Sequence, residues 1–312
     1  MFEIRKYTAS AADEWNAFVE KSKNGTFLFD RRYMDYHAER FSDASLMVYR
    51  SSCLVALLPA NHRETTLYSH QGLTYGGLIT DSKCSAGMAL DIFERLNEHL
   101  RREGVRRIVY KALPWIYHRL PSEESLYALH TVCRSTLISR DISSAVDLRC
   151  PLRFTESRRS GLRKAQNNGL TVSESGDMAA FWHILNDNLQ HKYGKQPVHS
   201  LEELHLLRDR FPRNIRLFMV CQGEKTLGGT LLYLTDRVIH TQYISASAEG
   251  KKLGALDLLF DFLIYRADFS QYYLDFGKST DKDCFDLNMP LLFQKEGFGG
   301  RAVCYDTYEW QP

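Results

Sequence analysis

Apolar and polar positions follow two periodicities along this chain, and segments of the two kinds succeed each other in a regular order. Runs rich in β-branched and aromatic residues predict strands, whereas apolar residues three and four apart predict amphipathic helices. The segment 86–104 predicts such a helix, because Met88, Ile92, Leu96 and Leu100 lie one turn apart on a single face. The pattern as a whole predicts a mixed α/β protein.

The first half of the chain predicts a strand, two helices, three strands, a helix, a strand, a short helix and a strand. In chain order these elements are residues 2–7, 11–22, 30–41, 45–50, 53–60, 64–70, 86–104, 105–113, 122–130 and 133–141. Ser10 precedes the first helix and is a favourable N-cap residue.

The same order returns in the second half at an offset of roughly 168 residues, which indicates an internal repeat of pattern. Its elements are residues 169–175, 177–194, 200–211, 215–221, 226–234, 238–246, 254–267, 272–277, 284–296 and 302–310. A basic helix, 155–169, links the two halves. Residue identity between the halves is negligible, so the repeat is one of structure.

Length and composition describe an ordinary globular protein. The chain has 312 residues, enough for about two domains at roughly 100–200 residues each, and 44% of them are hydrophobic. A formal net charge of +2 gives no reason to expect a duplex-DNA binder. The seven cysteines lie far apart without a C-x-x-C pair, which favours reduced thiols over a disulfide or zinc framework.

No targeting or membrane-spanning segment is predicted. The stretch MFEIRKYTAS lacks the apolar core of a signal peptide, and the longest apolar run, 53–60, is too short to span a bilayer. We therefore expect a cytoplasmic protein without stable membrane insertion.

Four stretches carry a resemblance to a known family: 158–170 (RRSGLRKAQNNGL), 192–204 (KYGKQPVHSLEEL), 275–280 (DFGKST) and 294–300 (QKEGFGG). The last two are similar to a DFGxS…FKxxFGG ending, and the order of elements resembles the GNAT (Gcn5-related acyltransferase) fold. Two copies joined through a basic segment resemble the FemAB-like branch of that superfamily. The resemblance implies two tandem GNAT-like modules, 1–150 and 151–312, each a mainly antiparallel mixed sheet flanked by helices.

In GNAT proteins the junction between the last hairpin strand and the next helix holds the diphosphate of coenzyme A. The resemblance places this cofactor site at Gly250, Lys251, Lys252, Leu253, Gly254 and Ala255. Lys251 and Leu256 depart from the family pattern R/Q-x-x-G-x-G/A, and a solvated turn is the alternative interpretation. The first module offers only TDSKCSAG (80–87), so we expect its donor site to be vestigial.

Four residues are candidates for the chemistry of acyl transfer, which needs a base and donors to a developing oxyanion. His240 could act as a base near neutral pH, and Tyr243 could donate a proton to a leaving group. Asp275 lies at the end of the predicted strand 272–277, where the resemblance places the meeting of the substrates, and Lys295 matches the lysine of FKxxFGG. The structural alternatives are packed strand residues, a helix cap and a solvated lysine.

An acceptor site is expected where cationic and polar residues cluster, because such groups bind phosphate or carboxylate. The candidates are Arg159, Arg163, Lys164, His191, Lys192, Tyr193, His199, Lys278 and Ser279. A solvated helix face is the alternative for the arginines and for Lys164. No Walker loop, zinc spacing or dinucleotide fingerprint occurs, so we expect no metal.

Three functions remain open. The leading one is an N-acyltransferase of the FemAB-like kind that moves an acyl group from acetyl-CoA or another acyl-CoA to an amine of a small-molecule or cell-envelope precursor. The second is a peptidyltransferase that uses aminoacyl-tRNA and a peptidoglycan precursor. Against it, the segment 27–41 lacks the tryptophan and lysine typical of that branch, and no Lys/Glu arm is present. The third is a non-catalytic GNAT-like binding module.

Overall fold

A computed structural model describes residues 2–281 and 286–312, with the side chains of Lys192 and Tyr193 left out. The chain forms two compact units, and each has its own core. Unit 1 comprises Met1–Asp141 with Cys304–Pro312, and unit 2 comprises Ile142–Val303. The predicted modules, 1–150 and 151–312, differ from these units at two segments: 142–150 belongs to unit 2, and Cys304–Pro312 belongs to unit 1.

Unit 1 contains short strands and four α-helices within the part of the chain that the structure describes. The strands are β1 (Phe2–Lys6), β2 (Ser42–Asp43), β3 (Leu46–Arg50), β4 (Cys53–Leu58), β5 (Asn61–Arg63), β6 (Thr66–Tyr68), β7 (Ile79–Thr80) and β8 (Arg107–Lys111). The helices are α1 (Ala12–Lys21), α2 (Arg31–Met34), α3 (Ala86–Arg102) and α4 (Glu124–Thr131). Short 3₁₀ helices occur at Ala9–Ala11, Phe27–Phe29, Asp35–Arg40 and Trp115–Tyr117.

The strands of unit 1 form two sheets. Strands β1, β3, β4 and β7 are antiparallel in that spatial order, while β8, β6, β5 and β2 form the other sheet, with β6 and β8 parallel. Helix α3 is capped by Ser85, whose hydroxyl accepts from the Met88 N–H, and it buries the predicted apolar stripe. The predicted helix over 30–41 is divided, because His37 has a non-helical backbone.

Two long strands belong partly to each unit. Strand β9 is Thr136–Asp147, and the last strand, β15, is Arg301–Trp310. Within unit 1, β15 pairs antiparallel with β8, and Trp310 enters the core and donates from Nε1 to Asn97 Oδ1 at 2.8 Å. The C-terminal strand thus supplies core residues to unit 1.

Unit 2 contains the remaining elements in the predicted order. The helices are α5 (Glu156–Asn167), α6 (Met178–Tyr193), α7 (Leu201–Arg210), α8 (Ala248–Leu253), α9 (Ala255–Tyr265) and α10 (Met289–Gly297). The strands are β10 (Thr171–Ser175), β11 (Ile215–Gln222), β12 (Lys225–Leu234), β13 (Val238–Ala246) and β14 (Tyr273–Lys278). Helix α10 begins later than predicted, after the cap Asn288, and residues 284 and 285 of its predicted start lie outside the described residues.

One mixed sheet forms the centre of unit 2. Its order is β10, β11, β12, β13, β14 and β9, and every pair is antiparallel except β13 with β14. The parallel register between these two strands runs only from Val238↔Tyr273 to His240↔Asp275. Beyond that register, the later residues of both strands lie at a cavity.

Helix α9 is the most deeply buried helix among the described residues of unit 2, as its apolar spacing predicts. Leu259, Phe260 and Leu263 enter the core beneath the sheet. Helix α5 packs on α9, and Gly254 allows their close approach, since a Cβ there would lie 2.2 Å from the Gly161 carbonyl oxygen. None of the helices in the described residues is long and apolar enough to cross a membrane.

Candidate active site

A cavity of about 530 Å³ opens in unit 2 where β13 and β14 are no longer paired. Its walls come from the end of β13, from β14 and from helices α6, α8, α9 and α10. The lining residues are Asn188, Leu189, His191, Ile244, Ser245, Ala246, Lys251, Leu256, Phe260, Phe276, Leu291, Gln294, Lys295 and Phe298. The sequence predicted three of them, His191, Lys251 and Lys295, as site residues.

Lys251 is held at the cavity by an amide that the sequence analysis did not single out. Its ammonium donates to Asn188 Oδ1 at 2.6 Å. The Asn188 amide nitrogen in turn lies 2.8 Å from both the Ser245 hydroxyl and the Ala246 carbonyl oxygen. Because the Lys251 ammonium and the His191 imidazole are both exposed, these groups lie at the cavity's mouth.

Lys295 is buried beside the same cavity, with 4% of its surface exposed. Its ammonium donates at 2.8 Å to the Gly277 carbonyl, the Lys278 carbonyl and the Ser279 hydroxyl. Burial lowers the pKa of Lys295 to about 8, and Asp275 opposes that shift. An ammonium has three N–H donors, and all of them are used by the last two residues of β14 and the first residue of the turn after β14. Lys295 therefore acts on a ligand through its charge and through the position of that turn.

The predicted cofactor loop is mostly helical. Glu249–Leu253 lie in α8, which Ser247 caps by accepting from the Gly250 N–H, and Gly254 joins α8 to α9 in the left-handed conformation. Gly250 is buried, and a Cβ there would lie 2.2 Å from the Leu227 carbonyl oxygen. Protein backbone thus covers both glycines at the sides where a Cβ would point.

The other residues of this predicted cofactor site divide between surface and core. Lys252 is exposed and does not line the cavity, Leu253 packs against the core and Ala255 is buried. Leu256, the departure from the family pattern, does line the cavity. The cofactor role of the loop stays a prediction, and the structure gives its glycines packing roles.

Asp275, which is buried, and His240, which is half-buried, form a pair in the register of β13 and β14. His240 Nδ1 lies 3.0 Å from Asp275 Oδ2, and Asp275 is fully buried. The Ser143 hydroxyl and the Gly277 N–H donate to the other carboxylate oxygen. This carboxylate orients the imidazole, an arrangement that suits a histidine base. Neither residue lines the cavity.

Tyr243 and His199, predicted separately, lie together in the structure. The Tyr243 hydroxyl is 2.6 Å from His199 Nδ1, and the His199 carbonyl accepts from the Trp182 indole at 3.3 Å. Burial raises the pKa of Tyr243 to about 12. The pair ties the segment before α7 to β13, and neither residue lines the cavity.

The predicted acceptor residues on α5 are spread along its exposed side. Arg159 and Arg163 both pair with Glu156, and Lys164 is exposed. The arginine that turns inward is Arg158, which is not among the predicted site residues; it contacts Asp257 Oδ1 at 3.0 Å. Burial raises the pKa of Asp257 to about 6, although Arg158 acts in the opposite direction.

The remaining predicted residues lie around the turn after β14 and on α6. Ser279 is buried and accepts from Lys295, while Lys278 is exposed and offers its carbonyl to the same ammonium. His191 Nδ1 lies 2.7 Å from the Asp187 carbonyl. Lys192 and Tyr193 lie outside the described side chains. Among the described residues, no three His, Cys, Asp or Glu side chains are grouped as metal ligands.

Comparison with known proteins adds evidence on the fold. Neither the sequence models of known families nor the curated protein sequences match this chain. The structure of FemX matches with a TM-score of 0.69 at 12% identity over 99% of this chain and 97% of FemX. L-PGS from Bacillus licheniformis matches with a TM-score of 0.61 at 13% identity over 97% of this chain and 92% of that protein.

A third structure is the C-terminal domain of a lysylphosphatidylglycerol synthetase from Agrobacterium fabrum. Its TM-score is 0.57 at 12% identity, over 82% of this chain and 81% of that domain. At such identities the likeness shows the fold alone. The fold is that of FemX, so the tandem GNAT-type α/β architecture predicted from the order of elements is confirmed.

Proposed function

We propose that this protein is an acyl-group transferase that moves an aminoacyl or acyl group from an activated donor to an amine. The observation that carries this proposal is the cavity beside the parted strands, which has an exposed lysine and histidine at its mouth and buried apolar residues at depth. Such a site can hold an anionic leaving group outside and the acyl group inside. The fold shared with FemX and L-PGS supports a transferase.

The reaction would form an amide and release the donor's oxygen or sulfur. The amine nitrogen attacks the acyl carbon, the bond from that carbon to the leaving group breaks, and the nitrogen loses a proton to a base. His240, oriented by Asp275, is the base candidate with the firmest geometry, and because it does not line the cavity the proton would reach it through a bridging water. Lys295 fixes the turn after β14 and places a positive charge beside the cavity, where charge develops in the transition state.

An aminoacyl ester of RNA is the donor that we favour. A diphosphate bound in the GNAT manner needs free backbone approach at the glycines before α9. Here the Leu227 and Gly161 carbonyls lie where a Cβ would be, so the backbone at Gly250 and Gly254 packs on protein. The names FemX and lysylphosphatidylglycerol synthetase point to cell-envelope substrates, and we propose an envelope precursor as the amine acceptor.

Acyl-CoA remains the second candidate donor, and one observation favours it. Lys251 occupies the first position of the family's phosphate-binding pattern and does line the cavity. A side-chain cation can bind a diphosphate without the backbone cradle.

The test is an acyl-transfer assay with mass-spectrometric detection. The purified chain is incubated with either aminoacyl-tRNA or acetyl-CoA, in each case with a peptidoglycan precursor as the amine, and the acceptor mass is followed. An increase by one aminoacyl residue with tRNA alone supports the favoured donor, whereas an acetyl increase supports the second.

The control is Lys295→Met, read beside the wild type with both donors. Binding of a donor without any change in acceptor mass, identical in wild type and variant, would instead identify a binding module. No binding of either donor would sink the proposal.

A further inference from the structure

Three packed aromatic rings form the bottom of the cavity in unit 2, which we call the aromatic floor. The rings of Phe260, Phe276 and Phe298 contact one another, with centroid distances of 4.8 Å, 4.9 Å and 5.9 Å for the three pairs. All three side chains are buried, and Leu256 and Leu291 complete the apolar surface. A floor of mutually packed rings resists rearrangement and presents carbon rather than hydrogen-bonding groups.

The ionisable groups around this floor are all basic. His191, Lys251 and Lys295 are the ionisable side chains among the described lining residues, and the lining there contains no aspartate or glutamate. A cationic group entering the cavity would lose water and find no carboxylate among these described residues to replace it. Burying such an unpaired charge is costly, and the lysine ammoniums add repulsion.

We propose that this cavity selects a transferred group with a neutral, apolar side chain and rejects one with a cationic side chain. This inference rests on the proposed function, because it concerns the group that the transferase carries. It separates this chain from the Agrobacterium fabrum protein, whose name refers to a lysyl group and with which it shares only the fold.

The test compares two stable donor analogues that differ by one charged group. Amide-linked 3′-aminoacyl-adenosines carrying norleucine or lysine share the nucleoside, the α-amino group and the four side-chain carbons, and only the lysyl analogue carries the terminal ammonium. We expect calorimetric titration of the wild type to give affinity for the norleucyl analogue at least about tenfold above the lysyl analogue, as one unpaired buried charge requires.

A charge placed in the floor should reverse this preference. Leu291→Glu supplies the missing carboxylate, so the lysyl analogue should gain affinity and the norleucyl analogue should lose it. Phe293→Glu makes the same charge change on the same helix, at a side chain that is 64% exposed and does not line the cavity. The ratio of norleucyl to lysyl affinity for Phe293→Glu should equal that of the wild type.

Three outcomes would overturn the inference in different ways. Equal affinity of the wild type for both analogues would contradict the proposed selectivity and leave the transferase proposal intact. An equal change of affinity in the two glutamate variants would show that the selectivity does not arise at this floor. Failure of the wild type to bind either analogue removes the aminoacyl donor site, and the inference falls with it.

Discussion

Two lysines are buried among the described residues, one in each unit, and their partners differ. Lys23 in unit 1 donates to Glu124 at 2.7 Å and to the Cys84 carbonyl at 3.0 Å, so a carboxylate balances its charge. Lys295 in unit 2 donates to two carbonyls and a hydroxyl, and it lines a cavity. The ion-paired lysine holds a fold together, whereas the other keeps its charge available to a ligand.

Removing the charge of Lys295 tests this difference most strongly. Lys295→Met keeps most of the side-chain volume and leaves the turn after β14 without its donor, so we expect the transfer rate to fall about 100-fold, in line with losing one preorganised electrostatic group. Steady-state rates with saturating donor measure it. Unfolding in urea monitors the folded state, and a variant that is destabilised but fully active would make Lys295 as structural as Lys23.

The matching change in unit 1 should act on stability alone. Lys23→Met leaves the Glu124 carboxylate without its partner, and because Glu124 is only partly buried we expect a loss of about 2–3 kcal/mol in the free energy of unfolding. Urea denaturation measures this loss. The transfer rate at a temperature where the variant is folded should equal that of the wild type, and a lower rate would contradict the comparison.

The glycines beside the two principal helices extend the comparison to the backbone. Gly254 and Gly104 both have φ of +79°, but a Cβ at Gly254 meets the Gly161 carbonyl, whereas nothing lies within 4 Å at Gly104. Gly104→Ala should lower the free energy of unfolding by about 1 kcal/mol, because alanine disfavours the left-handed backbone conformation. Gly254→Ala should cost roughly twice as much, because α5 must also move. Equal losses in the free energy of unfolding for the two variants, measured by thermal or urea denaturation, would show that α5 and α9 move apart at little energetic cost.

The pH dependence of transfer sharpens the role of Lys295. Its pKa is lowered to about 8 by burial, so the protonated form prevails below that pH and is lost above it. If the charge assists transfer, the rate should decline above pH 8 by about tenfold per unit. Lys295→Arg keeps its charge at higher pH and should move this decline upward. A wild-type rate that is flat from pH 7 to about 9.5 would exclude the charged form as the active one.

The smallest expected effect is a difference in donor affinity between variants of two neighbouring lysines of α8. Lys251→Ala removes the cation that Asn188 holds at the cavity's mouth and should weaken donor binding about fivefold, as loss of one partly exposed charge contact allows. Lys252→Ala is the matched control, since Lys252 is exposed and does not line the cavity. Calorimetric titration measures both, and equal affinities would move the anion site away from Lys251.

Local periodicity was enough to predict most elements of this fold. The apolar stripes of α3 and α9 and the hairpin strands β11 to β13 lie close to their predicted bounds, because burial of one face fixes each of them. The segment before Gly254 was predicted as a loop from its glycines and lysines. It is helical because Ser247 caps it and Gly250 packs against β12.

The candidate site was harder to predict because its members meet through tertiary structure. Asn188 lies on a half-buried helix position with no local signal, and it becomes important only because the ends of β13 and α8 approach it. The pair of Tyr243 with His199 likewise joins two distant segments. Leu256 did give a signal, as a departure from the family pattern, and its side chain lines the cavity.

The return of the last strand to unit 1 sets an order for the two units during synthesis. Unit 2 is continuous in sequence, Ile142–Val303, whereas unit 1 needs Cys304–Pro312 for its sheet and for the burial of Trp310. On the ribosome, the first unit to begin is therefore the last to be completed, and its core stays open until the C-terminal strand emerges. Truncation just after Val303 should leave a nascent chain with one folded half, and the unfinished half would be the one made first.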